Sequence, residues 1–224
     1  MELLKDRIYE IVKGMIISCE LEPGSFISET DLEKKLKVSR TPLREAFSRL
    51  EQENLLKVIP KKGVQVKNLS LTTINFTYET RLLLGPFILE NYWQEINRDE
   101  ISKLLKLTLE LMNKIKPKEE LNKQIKDIHL FFDLDDRFHH TITMSCDNDF
   151  LREALIRAEN EVRRTRVLIG KDSRYIASAN EHIRIMQDIL NDKKEDAKKD
   201  LITHLSNSKD IALKSMNTKA INYR

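Results

Sequence analysis

The chain reads as mainly α, in two parts: a small helix-and-hairpin unit over residues 1–67, then an all-α bundle of about six helices over 71–214. Three observations carry this reading. Near the N-terminus, short amphipathic helical segments are followed by two β-branched runs that flank Pro60-Lys61-Lys62-Gly63. After Ser70 strand signals vanish, and apolar residues recur at helical spacing to the end. Only Gly85 and Gly170 are glycines in that second part, so little breaks the helices apart from turns.

Residues 2–19 form the first predicted helix, because Leu3, Leu4, Ile8, Ile11, Val12, Met15 and Ile16 recur on one face. Leu21-Glu22-Pro23-Gly24 ends it with turn residues. A short helix follows over Ile27 to Leu36, with Ser28 as cap and Asp31 at the third helical position. Lys37-Val38 is a tight turn into the next helix. There Ser39 or Thr41 supplies the cap, and Pro42 fits the first turn, where its missing N–H is no loss. Leu43, Ala46, Phe47 and Leu50 share one face, while Thr41, Arg44, Glu45, Ser48 and Gln52 lie opposite.

Two arginines and a hydroxyl therefore crowd the first turn of a short amphipathic helix, as in helices whose N-terminal residues meet base edges beside phosphate. An ordinary surface helix would look similar in isolation, but the context decides. Leu55-Leu56-Lys57-Val58-Ile59 and Val64-Gln65-Val66 form a hairpin with a basic tip. Helix, helix, turn, helix and a two-stranded wing make an N-terminal winged helix-turn-helix. Its DNA-contacting candidates are Ser39, Arg40, Thr41, Arg44 and Arg49, with Lys61, Lys62 and Gly63 placing the wing near phosphate or the minor groove.

Ser39-Arg40-Thr41-Pro42-Leu43-Arg44-Glu45-Ala46, with Gly63-Val64-Gln65-Val66 closing the wing, resembles the DNA-binding domain of the GntR family of bacterial transcription regulators over roughly residues 5 to 67. Two positions depart from the family pattern. Thr30 stands where many members carry an arginine, and Asn54 replaces the usual glycine before the wing. Asn tolerates the left-handed conformation that such a glycine would adopt.

Lys67-Asn68-Leu69-Ser70 is a short polar connector, and 68–70 is the expected boundary between the two parts. Helices are expected at about 71–93, 99–116, 118–145, 149–170, 173–191 and 194–214. The breaks fall at Asn97-Arg98, Pro117, Cys146-Asp147-Asn148, Gly170-Lys171 and Asn191-Asp192. Pro86 should kink or interrupt the first of these helices. Residues 215–224, polar and lysine-containing, are expected to fray.

Four residues in the helical part form a constellation. Asp135 and His139 are four apart, and Ile128, Phe132, Asp135, His139 and Ile142 fall within about 80° of arc at 100° per residue. A carboxylate and an imidazole thus sit inside an apolar stripe, whereas His129 and His140 point away from it. His182 shares a face with Tyr175, Ala179, Met186 and Ile189, and His204 aligns with Ala197, Leu201 and Ile211. Any one of these could be a hydrogen-bonded core histidine. Three histidines and an aspartate facing one interior suit a divalent metal, which compensates the burial of polar groups.

Asp135-x-x-Phe138-His139, Asn148-x-x-Leu151, Glu181-His182 and His204-Leu205 resemble the ligand-binding domain of the FadR-type branch of the same family, the FCD domain. That resemblance implies a divalent metal (Zn, Ni, Fe or Mn) on Asp135, His139, His182 and His204, completed by a small carboxylate effector. It also implies effector contacts from Arg81, from Asn148, and from Arg163 or its neighbour Arg164. Gly85 stands where a glutamate is usual. A homodimer bound to a double-stranded DNA operator is the implied assembly.

The balance of 39 basic against 36 acidic residues leaves a net charge of only +3, so any nucleic-acid site must be a local cluster. Two cysteines in 224 residues suit a reducing compartment, and no apolar run approaches a membrane span, so the expected place is the cytoplasm and no membrane is engaged. No G-x-S-x-G, P-loop or dinucleotide fingerprint is present. The expected function is therefore a ligand-responsive transcription regulator, read as a repressor, and not an enzyme. A regulator sensing the metal alone is the alternative, with a metalloenzyme behind it.

Overall fold

The computed structural model describes residues 4–114, 125–169 and 174–222, with side chains for 4–114, 129–169 and 174–218. Two compact units divide the chain: 1–74 with 160–170, and 75–159 with 171–224.

The first unit begins with α1 (Leu4–Ile17), whose Ile8, Tyr9, Val12, Met15 and Ile16 are buried. The two-residue strand β1 (Phe26–Ile27) leads into α2 (Glu29–Leu36). Ser28 caps α2 through its Oγ, which accepts from the Asp31 amide at 3.3 Å. Lys37 closes α2 in the left-handed region at φ 55°. Helix α3 (Arg40–Gln52) buries Leu43, Ala46, Phe47 and Leu50. Ser39 occupies its N-cap position without a side-chain capping bond. Asn54 adopts φ 63°, the left-handed conformation expected in place of glycine.

β2 (Leu56–Ile59) and β3 (Gly63–Val66) pair antiparallel, Leu56 opposite Val66 and Ile59 opposite Gly63. Lys61 and Gly63 take positive φ in the connecting turn, 64° and 101°. That requirement explains the glycine at the wing tip. The expected two-stranded wing is in fact a three-stranded sheet ordered β1-β3-β2. Strand β1 is too short for any periodicity, and only its partners Val64 and Gln65 define it.

The second unit holds the bundle. Helix α4 (Leu71–Asn91) starts in the first unit and continues into it. Pro86 does not interrupt α4 as expected. A proline inside a helix removes one amide donor, and here Ile88 and Leu89 are fully buried just beyond it, so packing outweighs that loss. A 3-10 turn (Trp93–Glu95) leads to α5 (Arg98–Lys114), and then come α6 (Ile125–Thr143), α7 (Asp149–Ile169), α8 (Tyr175–Leu190) and α9 (Lys194–Asn222). The apolar core runs through α4, α5, α6, α8 and α9.

Helix α9 continues to Asn222, so the stretch 215–222, expected as a frayed tail, is helical. Residues 118–124, Pro117 and Gly170-Lys171 lie outside the described residues. The contact boundary falls after Ile74 rather than in the connector at 68–70, and the C-terminal half of α7 belongs to the first unit. Arg164 accounts for that placement. It is fully buried, pairs with Glu161 at 2.9 Å, and donates to the Lys67 carbonyl.

Candidate metal centre and DNA-reading face

Three helices of the second unit aim imidazoles at one point. His139 on α6, His182 on α8 and His204 on α9 are 2–9 % exposed, and one donor atom from each lies within 4.8 Å of the other two. The Nε2 of His204 is 3.2 Å from that of His139 and 3.1 Å from that of His182. Phe138 packs its ring 4.5 Å from the His182 ring and excludes solvent from that side.

Glu181 fixes the state of His204. Its Oε2 is 2.8 Å from His204 Nδ1, which makes that nitrogen the N–H donor and turns Nε2 inward as a lone pair. Arg174 donates to Oε1 of Glu181, and Asn207 Nδ2 does so at 2.9 Å. Burial works to raise the Glu181 pKa, but the hydrogen bonds from His204, Arg174 and Asn207 outweigh it and bring it down to about 2. For His204, burial is the leading influence and lowers its pKa, with the Arg81 charge adding to it against Glu181 and Asp135. The ring is therefore held neutral, as a metal ligand must be.

The donor set passes a chemical test for a metal. Tetrahedral Zn–N bonds of about 2.0–2.1 Å place ligand nitrogens roughly 3.3 Å apart, close to the two separations seen. Asp135 stands at the rim. Its Oδ1 is 3.8 Å from His182 Nε2, outside the tight trio but within reach of a small side-chain shift. Of the expected ligands, the three histidines are thus brought together and Asp135 is brought beside them.

Next to His139 lies a cavity of about 20 Å³, which Arg81, Gly85, Thr143 and Glu159 also line. Arg81 is only 5 % exposed and makes no hydrogen bond or ion pair among the described residues; its guanidinium sits 5.6 Å from the Tyr78 ring. Asn148 and Arg163, expected beside the effector, do not line this cavity. Asn148 is exposed and caps α7 through its Oδ1, which accepts from the amides of Phe150 and Leu151. Arg163 falls in the α7 segment that belongs to the first unit, as does Arg164. Helix phase alone could not foresee that α7 changes units midway.

On the first unit, Ser39, Arg40, Thr41 and Arg44 are exposed at the start of α3, and Lys61 and Lys62 are exposed at the wing tip beside Gly63. Arg44 Nε pairs with Glu29 Oε2 at 3.1 Å, and Arg40 Nε pairs with Glu33 Oε1 at 2.9 Å. Both carboxylates come from α2, and neither was picked out from sequence. Arg49 differs from the other two: it pairs with Asp6 at 2.8 Å and lies 3.8 Å over the Tyr9 ring. That geometry ties α3 to α1 and makes Arg49 a packing residue in the structure.

Glu29 holds Arg44, a candidate DNA contact. An exposed pair is worth about 0.2–1 kcal/mol. Glu29→Gln is therefore expected to tighten binding to a non-cognate duplex about 1.5- to 5-fold at low salt. Glu45→Gln, on the helix that carries Arg44 and without an ion pair among the described residues, should change it less. Filter-binding titrations check the difference, and equal effects would mean that Glu29 acts only through its bulk charge.

Residues 4–66 match the family described as bacterial regulatory proteins, gntR family, and residues 77–207 match the FCD domain. Together these cover most of the chain. It belongs to the GntR family. Two relatives of this GntR protein agree. An uncharacterized HTH-type transcriptional regulator of Bacillus subtilis, YdhC, is 28% identical and covers 89% of this chain and 87% of its own. The HTH-type transcriptional repressor RspR of Escherichia coli is 25% identical over 74% of this chain and 69% of its own. Among solved structures, the Zn2+-bound FCD domain of TM0439 superposes with a TM-score of 0.53 at 22% identity, over 67% of this chain and 98% of that one. These families and relatives are transcription regulators, so the GntR chain is a DNA-binding regulator and not an enzyme.

Proposed function

We propose that this GntR regulator is a homodimeric repressor acting in the cytoplasm. Its FCD domain would hold a divalent metal on Asp135, His139, His182 and His204 and take a small carboxylate effector. The observation that carries the metal is the convergence of three buried imidazoles with Glu181 setting the tautomer of one. The Zn2+ in the TM0439 domain supports it by likeness of fold. The bound ion would supply an electropositive anchor for the effector carboxylate. Arg81, buried without an ionic partner, is the side chain placed to pair with that carboxylate. Repression is supported by similarity to RspR, a transcriptional repressor 25% identical over 74% of this chain. In the winged unit, Ser39, Arg40, Thr41 and Arg44 would meet the operator, with Lys61, Lys62 and the Gly63 backbone at the wing.

The second reading, a regulator of the metal alone, draws on the cavity. At about 20 Å³ it has room for roughly one water. Elemental analysis of the purified protein, followed by gel shifts with and without small carboxylates, separates the two. Metal together with a carboxylate-dependent shift supports the first reading. A shift that follows metal alone supports the second, and a metal-free protein excludes both.

Dimerisation has a candidate surface. Phe76, Leu83 and Phe87 share one face of α4 and are 60, 73 and 46 % exposed. An unpartnered apolar stripe of this kind suits a second copy, since two winged helices read half-sites about one helical turn apart. Leu83→Glu is expected to shift the protein from dimer to monomer in light scattering, and to weaken operator binding accordingly. A wild-type protein that is already monomeric at micromolar concentration, with and without DNA, would count against this surface.

A further inference from the structure

We infer that Arg174, the residue from which α8 starts, sets how tightly the histidine centre holds its metal, acting through Glu181 on His204. Its hydrogen bonds go to Glu181 and Ser208 rather than to the imidazoles, so it is a positioning residue. The inference rests on the metal reading above and deepens it.

Arg174 and Glu181 are 7 residues apart, about two turns, and so share one face of α8. On α9, His204, Asn207 and Ser208 stand at i, i+3 and i+4 and also share a face. These two faces meet in one network. Arg174 donates to Oε1 of Glu181 and, at 3.1 Å, to Ser208 Oγ. Asn207 Nδ2 donates to the same Oε1 at 2.9 Å, and Oε2 accepts from His204 Nδ1 at 2.8 Å. One carboxylate is thereby gripped on both oxygens, and its hold on the ring is what points Nε2 at the other two imidazoles.

The needs of α8 itself do not account for an arginine here. N-cap positions favour Ser, Thr, Asp or Asn, whose side chains accept from the first free amides. Arg174 makes no such capping bond, and a cation at this end opposes the helix dipole. What the guanidinium supplies is the counter-charge for a carboxylate whose side chain is only 9 % exposed. Without it, Glu181 is left buried with hydrogen bonds from Asn207 and the His204 ring alone, a costly state that water or a shifted rotamer relieves. Either relief breaks the line to Nδ1. The ring is then free to carry its proton on Nε2, where the ion must bind.

The test uses the full-length protein, zinc and a chromophoric chelator as competitor. Arg174→Gln keeps a donor and removes the charge, and it is expected to weaken zinc binding about 10-fold. Glu181→Gln should weaken it about 10- to 100-fold. The double variant should be no weaker than Glu181→Gln alone, because Arg174 acts through that carboxylate. In metal-free protein, the side-chain 1H–15N spectrum of His204 should show the proton on Nδ1 in wild type and a mixture of tautomers in Arg174→Gln. A purely structural arginine would lower the melting temperature and leave the tautomer alone. Unchanged zinc affinity in folded Arg174→Gln overturns the inference and leaves the metal reading standing, and so does a double variant whose losses add. Should Arg174→Gln not fold, hydrogen exchange on wild type decides. Zinc should slow the Ser178 amide, which donates to the Arg174 carbonyl at 2.8 Å, by a larger factor than the Glu100 amide at the start of α5. Equal factors overturn the inference. Wild type that holds no zinc removes the metal reading, and this inference with it.

Discussion

His182→Ala is expected to lose the metal and the effector response together, while effector-free operator binding survives. The three imidazoles come from α6, α8 and α9, so a metal among them would tie separate helices of the bundle together. Binding to the folded state alone stabilises it by about 2.7 kcal/mol at a hundredfold excess over Kd. In a chain of this size each kcal/mol moves the melting temperature about 2–4 °C, so chelation of wild type should lower it by roughly 5–10 °C. The variant should melt at its lower temperature with or without chelator. If it keeps its metal and still answers the effector, the histidines are core residues.

The pH dependence has a definite sign. Burial lowers the His204 pKa in the fold below its ordinary value near 6.5. The unfolded chain therefore binds more protons as pH drops beneath 6.5, and the metal-free fold loses stability in that window. Metal affinity falls in the same direction, because protons compete for the ring nitrogens. Glu181, depressed from 4.5 to about 2, adds a second decline. Its contribution is complete above its unfolded value and is lost as pH falls toward 2. Isothermal titration with Zn2+ between pH 8 and 5.5 would expose the metal term, and affinity rising with acidity would refute the imidazole assignment.

Arg44→Ala is expected to cost discrimination as well as affinity. An arginine on base edges is worth about 1–3 kcal/mol, or roughly 5- to 150-fold between correct and incorrect sequence. A phosphate contact would weaken all sequences alike and reduce the salt slope by about one. Arg44 is well placed for the first role: it is 62% exposed in the first turns of α3 and oriented by Glu29. Titrations against an operator obtained by selection and against scrambled DNA separate the outcomes. Equal loss on both would assign Arg44 to the backbone. Arg49→Ala should behave differently, reducing stability through its pair with Asp6 and its stacking on Tyr9.

Much of this molecule was legible in the chain because its signals are local. The cap at Ser28, the left-handed turn at Lys37, the amphipathic face of α3 and the basic wing tip depend on neighbours within one or two turns. Helix phase put Asp135 and His139 on an interior face, and equally His182 and His204, before any contact between them was known. Pro86 misled for the complementary reason: the local rule predicts a break, and long-range packing around Ile88 and Leu89 keeps α4 whole.

By itself, then, the sequence determined the two-part architecture, the amphipathic α3 with Arg40 and Arg44 at its start, and three histidines on apolar helix faces, because periodicity and capping act over a few residues and need no partner. Only the tertiary structure decided which polar groups meet. Glu181 finds His204 across 23 positions, Glu159 meets Thr143 across 16, and Glu29 finds Arg44 across 15. Strand β1 exists only through β3, and the C-terminal half of α7, Arg163 included, belongs by its contacts to the first unit. Each of these depends on how separate helices and strands pack, and a pattern written along one helix carries no information about the side chain that another helix will bring against it.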